Sequence, residues 1–284
     1  MFGHRPDGKK IKNIDPVFKI MPFIMTERAD AQVYFKQDIA LKNLDEYMEK
    51  KAKEGIRISY MNIIYAALIR IINERPNLNR FVVNGILYQR NKINVALTIK
   101  KSLTDDGPET TVKLDFKGNE DIFTIKRKLD NAIEKDKKIE NSNKTDQMVN
   151  ILNIMPSSLI RVIVKFLMFL DKHGLLARKI IELSPFHTSV FLTNVGSLGI
   201  DSIYHHIYNF GTTSMFFSMG KKKKSYIYED DDIKEEKCIT LAFVGDERIC
   251  DGYYYASSFK LLSKYLKKPE LLEENIEAKE KVTI

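Results

Sequence analysis

The first half of the chain switches repeatedly between the two-residue period of a strand and the 3.6-residue period of a helix. Asn84-Gly85, between two short apolar runs, predicts a tight hairpin. Ser59 and Pro76 bound a largely apolar segment and predict a helix buried against a sheet. The elements predicted here are a strand at Gln32–Ile39, a helix with Leu41, Leu44, Met48 and Ala52 on one face, a helix at Tyr60–Arg75, strands at Arg80–Val83, Ile86–Arg90, Ile93–Lys100 and Thr111–Phe116, and a helix at Glu120–Lys137.

In the second half, the predicted strands lie far apart in the sequence. The elements predicted there are helical segments at Met148–Asn153 and Leu159–Leu170, a strand at Ser189–Thr193, a strand pair at Met215–Met219 and Cys238–Val244, and a closing helix at Tyr253–Leu266. Because helices separate the strands that must pair, the pattern predicts one α/β domain in which helices cover a mixed β-sheet.

Composition and charge narrow the class of protein. The chain has 284 residues, of which 44% are hydrophobic, and this share excludes a disordered protein. The formal net charge of +8 would favour anionic partners, but basic and acidic residues are interleaved and no nucleic-acid-reading motif accompanies them. The basic run Lys221 to Lys224 precedes the acidic run Glu229 to Asp232. Together they predict a solvated hairpin tip rather than a nucleic-acid surface.

The cysteines and the apolar segments indicate the compartment. Cys238 and Cys250 cannot make a disulfide-rich scaffold or a four-cysteine metal site, and they favour a reducing compartment. Arg161 and Lys165 interrupt the most apolar segment, which falls short of the ~20 residues that cross a bilayer. We therefore predict a cytoplasmic protein with no metal, no membrane partner and no nucleic-acid partner.

The densest polar group in the last third lies at Gly245–Gly252, between an apolar strand and an apolar helix. Asp246, Glu247 and Asp251 supply three carboxylates and Arg248 a guanidinium, a set that can contain a perturbed acid–base pair. A plainer interpretation is a helix N-terminus, because Asp251 is well placed to cap the helix and the glycine after it eases the turn. Both interpretations stay open on composition alone.

Two segments resemble the catalytic domain of the 2-oxo acid dehydrogenase acyltransferases (dihydrolipoamide acyltransferases), a fold shared with chloramphenicol acetyltransferase. DERICDG at 246–252, followed by an amphipathic helix and KKPELL, is similar to the family's DHRVxDG, helix and DPxLL ending. VFLTNVGSLGIDSIYHHIYNFGTTSMFFSMG at 190–220 is similar to its FTISNLGxxGID…INPPQxAIL…G stretch, and NERPNLN at 73–79 fits the layout more loosely. The resemblance implies an α/β, chloramphenicol acetyltransferase-like two-layer sandwich, with an N-terminal arm at 1–19 and one catalytic domain at 20–284.

The resemblance also implies a homotrimer with active sites between subunits, and acyl transfer between coenzyme A, or acyl-CoA, and a thiol or other small acceptor. In that family an H-x-x-x-D-G histidine is the general base, and here Glu247 occupies its position. Asp251 matches the structural aspartate, Gly252 its glycine, and Thr193 a serine that hydrogen-bonds the oxyanion. Thr193 is also simply a good strand residue. A carboxylate of pKa ~4.3 is a poor base for a thiol of ~8.5 unless burial raises the former.

His205, His206 and Asn194 lie in the segment that, by resemblance, helps line the interface channel, and they are the candidate substrate-binding residues. Either histidine is a candidate substitute base. Neighbouring residues of an extended chain point to opposite faces, so we expect the two histidines not to act as a pair. His187 is a further histidine, and packing or chemistry would each explain it.

Two functions remain open at this point. One is an acyltransferase, and the other is a catalytically inactive trimeric scaffold or small-molecule-binding protein on the same fold, because the usual histidine is replaced. The length leaves no room for the lipoyl-bearing and subunit-binding domains of full-length acyltransferase components. We therefore expect a free-standing trimer with no covalently attached lipoyl group.

Overall fold

The computed structural model describes residues 4–100, 109–137, 154–229 and 231–275. Its strands are β1 (Gly8–Lys10), β2 (Gln32–Ala40), β3 (Arg80–Val83), β4 (Ile86–Arg90), β5 (Ile93–Lys100), β6 (Glu109–Phe116), β7 (Val190–Asn194), β8 (Met215–Glu229) and β9 (Asp232–Asp246). Its helices are α1 (Pro16–Ile24), α2 (Lys42–Lys53), α3 (Tyr60–Glu74), α4 (Ile122–Lys137), α5 (Ser157–Lys172), α6 (Arg178–Leu183) and α7 (Gly252–Lys267). The predicted turn at 105–108 and helical segment at 148–153 lie outside the described residues.

The main sheet has six strands in the order β2-β9-β8-β7-β5-β6. β7 runs parallel to both β5 and β8, and the other neighbouring strands are antiparallel. Apolar side chains of its inner face form one core with α2, α3, α4 and α7. The predicted α/β fold, a mixed sheet covered by helices, is therefore confirmed.

Local signals explain where the core helices and the tight turn form. Ser59 accepts a hydrogen bond from the backbone N–H of Asn62, whose side chain in turn accepts one from the Ser59 N–H, so α3 begins with a capping box. Asn84 and Gly85 both have positive φ, as the two-residue turn between β3 and β4 requires. These predicted features are confirmed.

The N-terminal region contains elements that the pattern did not predict. Residues 8–10, inside the predicted arm, form β1 and pair with β4 in a second sheet of order β1-β4-β3. α1 follows, with Asp15 as its N-cap and Pro16 at its first position. The apolar residues of α1 are mostly exposed, so they do not form a face that is buried in the core. The dipeptide Asp15-Pro16 was the one available sequence signal for a helix start.

The hairpin of β8 and β9 is longer than predicted. The predicted hairpin tip of offsetting charges is corrected in one respect: Lys221 to Lys224 lie within β8, away from the last strand pair, Glu229 with Asp232. The lysines are held along the strand by opposite charge, because Lys223 Nζ lies 2.9 Å from Asp201 and Lys224 Nζ lies 2.6 Å from Glu235. The charge of Lys224 is therefore offset within the hairpin, and that of Lys223 by Asp201, which lies outside it.

An irregular segment of the chain, rather than a helix, covers the outer face of the main sheet. The side chains of this face include Ala96, Phe191, Phe216 and Val244, which form a small apolar cluster with Ile207. Ile207 belongs to the irregular segment 200–211. This segment crosses the outer face between the short 3₁₀ helix at Val195–Leu198 and β8. The residues predicted to bind substrate lie on or beside this segment.

Candidate functional site

The turn after β9 is organised by a buried ion pair. Asp246 is fully buried, and Arg248 donates to both of its carboxylate oxygens from Nε and Nη2, each at 2.8 Å. Arg28 Nε lies 3.6 Å from the same carboxylate. Burial lowers the pKa of Arg28 to about 10, against the attraction of Asp246, so this guanidinium stays charged at neutral pH. Asp246 and Arg248 therefore fix the turn rather than face a substrate.

Glu247 and Asp251 have different surroundings in this turn. Glu247 is half-buried, and its backbone N–H donates to the carbonyl of Ala31 at 2.8 Å, which ties the turn to the start of β2. Asp251 is exposed, and its Oδ1 accepts a hydrogen bond from the Tyr254 N–H at 2.6 Å as the N-cap of α7. Gly252 is the first residue of that helix. The cap that composition suggested is present, and Glu247 is the carboxylate left for chemistry.

Cys250, in the same turn, is not a nucleophile at neutral pH. It is buried and free of disulfide bonds. Burial raises the pKa of its thiol to about 12. Because the thiolate is the reactive form, this side chain stays protonated and inert.

Thr193 lies on the outer face of the main sheet. It is half-buried in β7, with Ser218 of β8 as its register partner. Phe191, two residues earlier, shares its face, and Ser218 Oγ accepts a hydrogen bond from the Ile203 N–H at 3.2 Å. Asn194, by contrast, uses its side chain locally, since Oδ1 accepts from the Ser197 N–H at 3.3 Å. Of the two neighbours, Thr193 is therefore the one that lies on the outer face.

The two adjacent histidines form a stacked pair. The rings of His205 and His206 stack with centroids 4.5 Å apart, and the His205 ring also stacks on Phe216 at 4.2 Å. The expectation that they point to opposite faces was wrong, because the segment is irregular and strand alternation does not apply to it. Burial, followed by the charge of His205, lowers the pKa of His206, which favours its neutral form.

The outer face brings Thr193 and the histidine pair together. His205 stacks on Phe216, which precedes Ser218, the partner of Thr193, by two residues, or about 7 Å of strand. Glu247 lies on the other side of the histidines from Thr193, since Val244, the β9 partner of Phe216, precedes Glu247 by three residues, or about 10 Å. Ala242, the β9 partner of Ser218, precedes Glu247 by five residues, or about 16 Å along the strand. A single copy of the chain therefore does not unite Glu247 with Thr193.

A second polar cluster, absent from the sequence predictions, surrounds His187. Its Nε2 lies 3.2 Å from Asp171, which Arg5 Nη2 also contacts at 2.8 Å, and Arg5 pairs in turn with Asp7. Arg90 donates to the carbonyl of Thr212 nearby. Burial lowers the pKa of His187, so the Arg5 guanidinium is the partner of Asp171 that is charged at neutral pH. Arg5 and Asp171 lie 166 positions apart in the chain, so no local sequence pattern indicates that they interact.

The described ranges contain no group of three or more histidine, cysteine or carboxylate side chains placed to hold a metal ion. The polar groups next to Phe191 and Phe216 on the outer face include the hydroxyls of Thr193 and Ser218 and the imidazoles of His205 and His206, and the Lys36–Asp201 ion pair lies on the same face. Hydroxyls and imidazoles can donate hydrogen bonds to an oxyanion and accept a proton, which is the chemistry of acyl transfer.

Comparison with known proteins finds a likeness over the segment that contains these residues. Residues 181–273, about a third of the chain, match the sequence model of the 2-oxoacid dehydrogenases acyltransferase catalytic domain. This range contains Thr193, the histidine pair and Glu247. The resemblance predicted from the sequence motifs is confirmed over this segment. No curated protein sequence matches the chain significantly.

Solved structures extend the likeness to the whole fold. A probable dihydrolipoamide acetyltransferase from Listeria monocytogenes covers 95% of this chain and 99% of its own, with 14% identity and a TM-score of 0.57. The dihydrolipoamide acetyltransferase of Azotobacter vinelandii covers 93% and 94%, with 12% identity and a TM-score of 0.59. A chloramphenicol acetyltransferase covers 92% and 100%, with 12% identity and a TM-score of 0.55. The chain therefore has the fold of these acyltransferase cores.

Proposed function

We propose that this protein transfers an acyl group between coenzyme A and a thiol or other small acceptor. The observation that carries the proposal is the outer face of the main sheet, where Thr193 pairs in register with Ser218 and the His205 ring stacks on Phe216, two residues before Ser218. The match of residues 181–273 to an acyltransferase catalytic domain supports the same reaction class.

In the proposed reaction, a base removes the proton of the acceptor thiol, and the sulfur attacks the carbonyl carbon of the acyl-CoA. The carbonyl oxygen becomes an oxyanion, which accepts a hydrogen bond from Thr193 Oγ. The bond from this carbon to the sulfur of coenzyme A then breaks, and the leaving thiolate takes the proton from the base. The products are the acylated acceptor and coenzyme A.

The candidate bases differ in whether they would act with Thr193 of the same copy or with Thr193 of a neighbouring copy. His205 or His206 would act with Thr193 of the same copy. Glu247, about 16 Å farther along the sheet, would reach a threonine only across a contact between copies. We propose a homotrimer in which such a contact forms the site, with Asp251 organising the turn that presents Glu247.

Release of coenzyme A from a panel of acyl-CoA donors, with thiol, amine and alcohol acceptors, tests the proposal. Thr193→Val should lower kcat by roughly 10²–10³-fold, the effect of losing one oxyanion donor. Thr193→Ser keeps a hydroxyl and is the matched control, which should stay within about tenfold of the native rate. Absence of turnover, together with absence of coenzyme A binding, would refute the proposal.

Three further variants assign the base. Loss of turnover in Glu247→Gln alone identifies the glutamate, whereas loss in His205→Ala or His206→Ala identifies a histidine. Removal of a general base should cost about 10²–10⁴-fold. Light scattering on the same samples gives the number of copies, and a monomer that turns over in spite of Glu247→Gln excludes the shared site.

The alternative function is a catalytically inactive trimeric scaffold or small-molecule-binding protein on the same fold. The observation that favours it is Glu247, a carboxylate at the position where the acyltransferase motif has its histidine base. This alternative predicts ligand binding with no turnover in the native protein. If Glu247→His then creates turnover from none, the inactive scaffold is supported.

A further inference from the structure

Helices α1 and α5 expose apolar side chains, most of them along one face of each helix, while Val164 and Met168 are exposed elsewhere on α5. On α5 the exposed residues Leu159, Val162, Phe166 and Phe169 recur at spacings of three and four, and on α1 Val17, Ile20 and Ile24 do the same. Their exposed fractions lie between 45% and 69%. Large contiguous apolar patches of this kind mark a surface that binds something.

The exposed face of α5 is distinct from the face that contacts the rest of the protein. Ile160, Ile163, Leu167 and Leu170 are half-buried and form the inner face, and Asp171 is the one residue of the helix that is buried. The helix therefore has two apolar faces, of which the inner one supplies its attachment. The outer one has no role in the fold of a single copy.

The two helices belong to one surface. Phe23 of α1 and Met168 and Phe169 of α5 line the same cavity, of about 580 Å³. Phe23 and Phe18 also line a neighbouring cavity of about 790 Å³. A flat partner that covers this side of the molecule would therefore contact both helices.

The exposed charges of the surface are mostly basic, with Asp15 and Glu27 as the exposed carboxylates among the residues that line the two cavities. Arg161, Lys165 and Lys172 form a stripe on α5 beside its exposed apolar face, and in the described part of the chain none has a carboxylate within ion-pair distance. Lys19 is exposed on α1, and Lys10 and Lys12 line the second cavity. α2 and α4, by contrast, mix both signs of charge. This surface is complementary to an anionic one.

The length of the helices limits how a bilayer could be contacted. α5 has 16 residues, and within the described ranges no helix is long and apolar enough to span a membrane. An apolar face flanked by lysine and arginine is instead typical of a helix that lies in the plane of the membrane interface.

We propose that α1 and α5 bind the surface of an anionic lipid bilayer. The apolar faces enter the boundary between headgroups and acyl chains, and the cations contact the acidic headgroups. This departs from the expectation, drawn from the sequence, that the chain has no membrane partner. A two-fold contact with a second copy would instead place the same cationic patch on both sides and is disfavoured by like-charge repulsion.

Co-sedimentation of the full chain with vesicles tests this proposal. The protein should sediment with vesicles of phosphatidylcholine and phosphatidylserine, and binding should weaken as salt rises. Val162→Ser/Phe166→Ser should weaken partitioning at least roughly tenfold, since buried apolar area is lost. Arg161→Gln/Lys165→Gln/Lys172→Gln should weaken it by about 100-fold, at roughly fivefold per cation.

α7 supplies the matched control. Its exposed Lys260, Lys264 and Lys267 have a similar helical spacing, on a helix that packs in the core, so their triple change to Gln should leave partitioning within about twofold. Circular dichroism confirms that each variant is folded. Native protein that stays in the supernatant at low salt refutes the proposal. So does a Val162→Ser/Phe166→Ser variant that dissociates into smaller oligomers while its lipid binding is unchanged, since that assigns the face to contacts between copies.

Discussion

Two helices of similar length and apolar composition have opposite positions in this molecule. α3 has 15 residues, and residues 62–72 are all buried between the main sheet and the other core helices. α5 has 16 residues, and Asp171 is its one buried residue. Apolar content alone would place both helices in a core, so another property separates them.

Charge placement is that property. The single cation inside α3, Arg70, is buried, and its guanidinium donates to the carbonyls of Glu120, Leu271 and Glu274 while it lies over the ring of Tyr265. The three cations of α5 form an exposed stripe. A single cation can be satisfied by carbonyls and buried, whereas three on one side keep a helix at the surface.

The largest effect that this comparison predicts is on core packing. Ile69 of α3 is fully buried, so Ile69→Ala should destabilise the protein by about 2–5 kcal/mol through lost burial and the cavity left behind. Phe166→Ala, at an exposed position of α5, should change the free energy of unfolding by no more than about 0.5 kcal/mol in dilute buffer. Urea denaturation measures both. Equal losses would mean that α5 is also part of the core.

The second prediction concerns the two kinds of cation. Arg70→Met removes the donor to three carbonyls, of which that of Glu120 is in a fully buried hydrogen bond, and it should cost about 2–3 kcal/mol. Arg161→Met, on the exposed stripe of α5, should be neutral within about 0.5 kcal/mol. The same denaturation experiment checks both. A neutral Arg70→Met would show that a well-packed apolar side chain serves equally well there.

The third prediction concerns the attachment of α5 at Asp171. Burial would raise the pKa of this carboxyl, but the hydrogen bonds from His187 and Arg5, together with the charge of Arg5, outweigh it and lower the pKa to about 2, from an ordinary value near 4. The native state thus binds the proton more weakly than the unfolded chain does. The stabilisation, about 2 kcal/mol, is complete above pH ~4 and is lost as the pH falls towards ~2.

Asp171→Asn should therefore be less stable than the native protein by about 2 kcal/mol at neutral pH, and the difference should shrink as the pH falls towards ~2. Urea midpoints of both proteins at each pH measure it. Hydrogen exchange should also quicken in α5, since the variant weakens its buried contact with Arg5. A difference that stays constant with pH would mean that the carboxylate charge has no part in the attachment.

The elements of the core, to which α3 belongs, could be predicted from the sequence. The capping residue Ser59, the hairpin dipeptide Asn84-Gly85 and the closing helix after Asp251 are local signals, and each acts within a few residues of its position. The family resemblance came from contiguous motifs for the same reason.

The attachment of α5 at the surface and the geometry of the site could not be predicted, because both depend on contacts between residues that are distant in the sequence. Nothing near Asp171 in the sequence indicates that Arg5 binds it. The separation of Thr193 from Glu247 follows from the register of β7, β8 and β9, which local pattern does not specify. The stacked histidines lie in an irregular segment, for which alternation gave the wrong expectation.

The smallest predicted effect tests the two helix starts. Ser59 and Asn62 form a reciprocal capping box at α3, whereas α5 follows Pro156 with no side-chain hydrogen bond at its cap. Ser59→Ala should therefore cost about 1 kcal/mol, and Ser157→Ala, in the first turn of α5, should cost much less. Urea midpoints resolve a difference of this size. A comparable loss from Ser157→Ala would mean that the start of α5 is stabilised by its own hydroxyl, and that α5 depends less on its contact at Asp171.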